Sequence, residues 1–111
     1  MNVRGGLVVA LVAGCSSGEP CDAVIPGAWT ASGTCFGLAR TMTVAFDEDT
    51  CAVRFEDWAT ATGIEPTGGL VLGARITLEG GGFDGCVGEL DGASIIGTCP
   101  DSCAFELGTT P

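Results

Sequence analysis

From Gly27 onward the chain alternates apolar and polar residues in short runs, each closed by glycine or acidic residues. Alternation with period two places every second side chain on one face of a strand. Short runs of this kind between such turns mark an all-β sandwich or barrel. No stretch of this region has the spacing of an amphipathic helix to compete with that reading.

The expected strands follow from the pattern. Residues 27–35 put Trp29, Ala31, Gly33 and Cys35 on one face, and residues 40–46 turn Met42, Val44 and Phe46 inward. Asp47-Glu48-Asp49-Thr50 is a tight turn, after which residues 51–58 set Cys51, Val53 and Phe55 against Arg54 and Glu56. Residues 59–67, with Gly63 and Pro66, form the longest irregular stretch. Leu70, Leu72, Ala74, Ile76 and Leu78 then share one parity through Gly73, which reads as one long strand or as two bent at the glycine. Residues 83–90, 93–98 and 103–107 are the last strands, joined by Asp91-Gly92, a two-residue hairpin signal, and by Pro100-Asp101-Ser102.

The count is seven or eight, and eight is favoured. An even number lets the first and last strands of a meander meet antiparallel and close an up-and-down barrel without exposed edges. It also brings Cys35 to the same barrel end as Cys103.

Seven cysteines sit in 111 residues. Setting Cys15 aside leaves six, an even set that reads as three disulfides in a short exported chain, each supplying typically about 2–4 kcal/mol that a small core lacks. The meander order favours Cys21–Cys51, Cys35–Cys103 and Cys86–Cys99 among the fifteen or so pairings open to six cysteines; a Cys99–Cys103 bridge would count against it. A zinc site is disfavoured, because the sequence has no histidine and no CxxC pair.

The N-terminus explains the odd cysteine. Arg4 precedes the apolar run from Leu7 to Ala13, too short for the roughly 20 residues of a membrane-spanning helix but suited to a signal peptide. Val12-Ala13-Gly14-Cys15 resembles the lipobox of bacterial lipoproteins, in which an aliphatic residue and two small residues precede an obligatory cysteine. The resemblance implies a diacylglyceryl thioether on Cys15, cleavage after Gly14 and acyl chains such as palmitate in the membrane. The implied organisation is a signal peptide over 1–14, a lipidated cysteine and short tether over 15–22, and a barrel domain over 23–111. Six steps from Cys15 to Cys21 reach at most about 21 Å, so the domain is expected close to its membrane. Ser16, where many retained enteric lipoproteins carry Asp, points to the outer membrane of a cell envelope.

A second resemblance is architectural. Gly27-Ala28-Trp29 at the first strand is similar to the G-x-W opening of calycin-type barrels, a group that includes lipocalins and small bacterial protease inhibitors. The stretch from Leu90 to Cys99 also resembles hairpins of small bacterial lipoproteins built as meanders.

Cleavage of residues 1–14 leaves 97 residues, room for one modest domain. Three arginines then face fourteen acidic residues, a net charge of −11 with no lysine. Such a surface disfavours nucleic acid and anionic headgroups and favours cations or a basic protein.

Enzymatic chemistry finds little support. Without His, Lys or Tyr no usual base activates a nucleophile, so Ser32, Ser94 and Ser102 read as turn and surface residues. Glu56-Asp57 face opposite sides of a strand, and Asp47-Glu48-Asp49, which lacks the spacing of an EF-hand, reads as a solvated turn in preference to a calcium loop. The expectation is a monomeric, non-enzymatic binding module without metal or cofactor, using the barrel mouth or residues 59–67 toward an envelope component, small ligand or basic protein. The alternatives are an inhibitor of a protease or lysozyme, and a structural surface lipoprotein with no specific ligand.

Overall fold

The computed structural model describes residues 21–110. They form eight antiparallel strands: β1 Gly27–Ser32, β2 Arg40–Asp47, β3 Ala52–Glu56, β4 Gly68–Leu72, β5 Arg75–Glu79, β6 Val87–Asp91, β7 Ser94–Thr98 and β8 Ala104–Thr109. Each pairs with the next, and β8 pairs with β1 through Glu106 opposite Ser32 and Leu107 opposite Ala31, so the meander closes into a barrel. Three disulfides staple it: Cys21–Cys51, Cys35–Cys103 and Cys86–Cys99.

Alternation defines the interior. Trp29 and Ala31 on β1, Met42 and Val44 on β2, and Val53 and Phe55 on β3 are buried, while Arg54 and Glu56, alternating with the last two, face solvent. The inward glycines open no space beside them. A side chain at Gly69 would meet the Thr77 carbonyl and Ile76, and one at Gly88 or Gly97 would meet the Phe105 ring. The interior is therefore filled by side chains, as small eight-stranded barrels are.

The structure corrects the expected strands at several ends. The first stops at Ser32, not Cys35, because Gly33 adopts φ +104° and turns the chain so that Cys35 reaches Cys103. The third spans only Ala52–Glu56, since Cys51 and Asp57 both hold positive φ and leave the extended conformation. Phe83 is buried but lies in a loop before β6.

The largest correction concerns residues 70–78. Leu72 pairs with Arg75, leaving Gly73 (φ +61°) and Ala74 as a two-residue turn. Across such a turn, residues on one face have opposite parity: Val71 pairs with Ile76, and Leu70 with Thr77. Ile76, Leu78 and Val71 are buried, while Leu70 and Leu72, expected inside, are 55% and 66% exposed.

The barrel ends differ. At one end lie the short turns 48–51, 73–74 and 92–93, together with the incoming residues 21–26. There Cys21 bridges to Gly73, Asp22 donates its amide to the Gly73 carbonyl, Val24 is buried, and the Trp29 indole donates to the Ile25 carbonyl at 2.7 Å. The opposite end carries loops 33–39, 57–67, 80–86 and 99–103. No described helix is long and apolar enough to cross a membrane.

Candidate functional site

The loop end is the most elaborated surface of the molecule. Its floor is aromatic: Phe36 stacks on Phe83 (ring centroids 4.9 Å apart) and on Trp58 (5.8 Å), and Phe83 meets Phe105 edge-on. Phe36 and Phe83 come from loops 33–39 and 80–86, so the loops are packed onto the barrel mouth. Such ring pairs contribute about 0.5–1.5 kcal/mol beyond area burial.

Two disulfides brace the loops sideways. The 99–103 turn is tied to loop 33–39 through Cys35–Cys103 and to loop 80–86 through Cys86–Cys99. Among the described residues, the only three ligand-type atoms grouped within 4.8 Å are the sulfurs of Cys35, Cys99 and Cys103, all engaged in these bonds.

Loop 57–67 is held by a different device. Glu65 is 6% exposed, and its carboxylate accepts the amides of Thr62 and Gly63, the Thr62 hydroxyl at 2.7 Å and the Arg40 guanidinium. Arg40 also donates to the Thr60 carbonyl, and the Trp58 indole donates to the Pro66 carbonyl. The Thr62 hydroxyl and the two loop amides hold the Glu65 carboxyl at about 2, against an opposing effect of desolvation. Hydrogen bonds to the charged form are what make a nearly buried carboxylate tolerable here.

What the braced loops present is two aliphatic side chains and acids. Leu38 is 81% exposed and Ile64 54%. At the same barrel end Asp57, Glu79, Asp84 and Asp101 are exposed. Two of these acids also shape the backbone, Asp84 accepting the Gly80 amide and Asp101 the Cys103 amide. Arg40, the one cation of this end among the described residues, is committed to Glu65.

The other residues singled out in the sequence lie elsewhere. Asp47-Glu48-Asp49 is at the far end, where Asp47 accepts the Asp49 amide at 2.9 Å, and its carboxylates do not converge as a cation site requires. Ser32, Ser94 and Ser102 do not come together: Ser32 closes β1, Ser94 opens β7 and Ser102 occupies a turn at φ +78°. The lipobox from Val12 to Cys15 lies outside the described residues.

Sequence reasoning passed over Arg40 and Glu65. The available signal was Thr62-Gly63-Ile64-Glu65, the spacing with which a carboxylate reaches back to an amide three residues earlier in a capping box, used here without a following helix. No protein-family model matches this chain, and no curated protein matches it either.

Proposed function

We propose that this chain is a bacterial lipoprotein, acylated on Cys15 and held at the envelope, probing the adjacent space with the loop end of a calycin-like barrel that binds a basic protein. The observation that carries the reading is the exposure of Leu38 and Ile64 on braced loops at the end where Asp57, Glu79, Asp84 and Asp101 are also exposed and where, among the described residues, Arg40 is bound to Glu65. Apolar anchors within a rigid frame lose little entropy on binding, and the rim steers a positively charged partner. Lipidation accounts for the one cysteine outside the three disulfides. The entry of the chain at the end opposite these loops supports their facing away from the membrane.

The binding surface is non-enzymatic in this reading: the partner is held, not converted. The same rigid acidic loops favour one narrower version, inhibition of a basic hydrolase such as lysozyme or a secreted protease by occupying its cleft.

Two experiments test it. Labelled lipid is incorporated by the wild type and not by Cys15→Ser; an unlabelled wild type refutes the anchor. Crosslinking in envelope extract captures a basic protein in a salt-sensitive manner, and the Leu38→Asp/Ile64→Asp variant loses it. Equal capture by both refutes the loop-end surface, and unimpaired lysozyme and protease activity refutes the inhibitor version.

A further inference from the structure

A second apolar surface lies on the barrel flank, and Cys21, the first described residue, is fastened beside it. Leu70 and Leu72 stand on the outer face of β4 with Val71 buried between them. With Thr50, Cys51 and Thr77 they line a shallow groove. Cys51 of that groove is bonded to Cys21, and Cys21 bridges to Gly73, the residue after Leu72. The described chain therefore begins at the edge of this groove.

The flank also carries most of the positive charge of a strongly acidic molecule. Two of the three arginines beyond residue 14 are on it, Arg54 on β3 and Arg75 on β5. Each is matched: Arg54 binds Glu56 at 2.9 Å and Arg75 faces Glu89 at 3.6 Å. Exposed pairs such as these add little stability, but they cancel charge locally beside the two leucines, while Glu79 stands at the far, loop end of β5. At the adjoining barrel end Asp22, Asp47, Glu48, Asp49 and Asp91 are exposed, which repels anionic headgroups.

We infer that the Leu70–Leu72 flank rests on the bilayer that holds Cys15, with neutral, zwitterionic headgroups as its occupant. This rests on the proposed acylation of Cys15. Six residue steps lead from that cysteine to Cys21, a reach of at most about 21 Å. The apolar surface nearest the exit of such a leash meets the membrane at high effective concentration, so a contact too weak to recruit a free protein suffices to orient a tethered one. The barrel then tilts toward β4 and β5, and loops 33–39 and 57–67 stay clear of the surface.

The test uses the lipidated protein in nanodiscs of phosphatidylcholine and phosphatidylethanolamine containing a doxyl-labelled lipid, read by amide relaxation. Amides of Leu70, Leu72 and Thr77 broaden several-fold more than those of Leu38 and Ile64. A Leu70→Ser/Leu72→Ser variant, with both changes on outward positions and an unchanged melting temperature, loses the difference. Replacing part of the lipid by phosphatidylglycerol diminishes it. Uniform broadening, or broadening concentrated at Leu38 and Ile64, overturns the inference while leaving the anchor intact. The mass of the Cys15 peptide reports the anchor separately: an unacylated peptide overturns both.

Discussion

The sulfurs of Cys35 and Cys99 belong to different disulfides and lie 3.6 Å apart. Thiolate attack on a disulfide sulfur needs such an approach. In a Cys86→Ser variant the Cys99 thiolate attacks the Cys35 sulfur, a Cys35–Cys99 bond forms and Cys103 departs as thiolate. Acid-quenched peptide mapping finds this pair beside the original Cys35–Cys103 bond. Exclusive recovery of Cys35–Cys103 would show that the two sulfurs do not exchange.

The Glu65 carboxyl has an ordinary value of 4.5 and lies at about 2 in the folded chain. A depressed value means that the stabilisation is complete above the unfolded value and is lost as pH falls from about 4.5 to about 2. Amide protection at Thr62 and Gly63 declines across that window. Glu65→Gln removes the charge that Arg40 meets, and protection of the same two amides falls about tenfold at neutral pH. Protection at Val44 on β2 serves as the control and stays constant.

Gly97 is opposite Gly88 on β6, and a methyl group there would strike the Val87 carbonyl, the Gly88 backbone and the Phe105 ring. Backbone neighbours cannot rotate aside, so Gly97→Ala destabilises the barrel by about 1–3 kcal/mol. Gly92→Ala is the comparison: nothing lies near its side, and its φ of +55° costs about 1 kcal/mol. Urea midpoints rank wild type, Gly92→Ala and Gly97→Ala in descending order.

Cys21–Cys51 closes a loop of 30 residues and fastens the incoming segment. Replacing both cysteines by serine lowers stability by about 2–4 kcal/mol. The barrel persists because its eight strands pair without this bridge. Limited proteolysis then cuts within residues 22–26, which resist cleavage in the wild type.

Much of this architecture could be read from alternation. Trp29, Val44, Val53 and Phe55 sit where period two puts them, and the closing of β8 on β1 follows from an even strand number. The reading failed at Leu70 and Leu72 because parity reverses across a two-residue turn, and Gly73 in sequence is equally compatible with a continuous strand. Phe36 and Phe83 were hidden for another reason: in loops no period exists to say which side chains face inward. Arg40 and Glu65 are separated by 25 residues, and single charges in an acidic chain give no sign that they will meet.

The hydrogen bonding between β8 and β1 bears on how densely this molecule can be assembled. Molecules fixed to a surface are confined to two dimensions, where neighbours collide often and in a limited range of orientations. An open sheet in that setting would offer each neighbour a row of unsatisfied amides and carbonyls to extend. A cylinder without a seam offers none, so under the proposed anchoring neighbouring barrels would be kept apart by mutual charge repulsion and could not extend one another strand to strand.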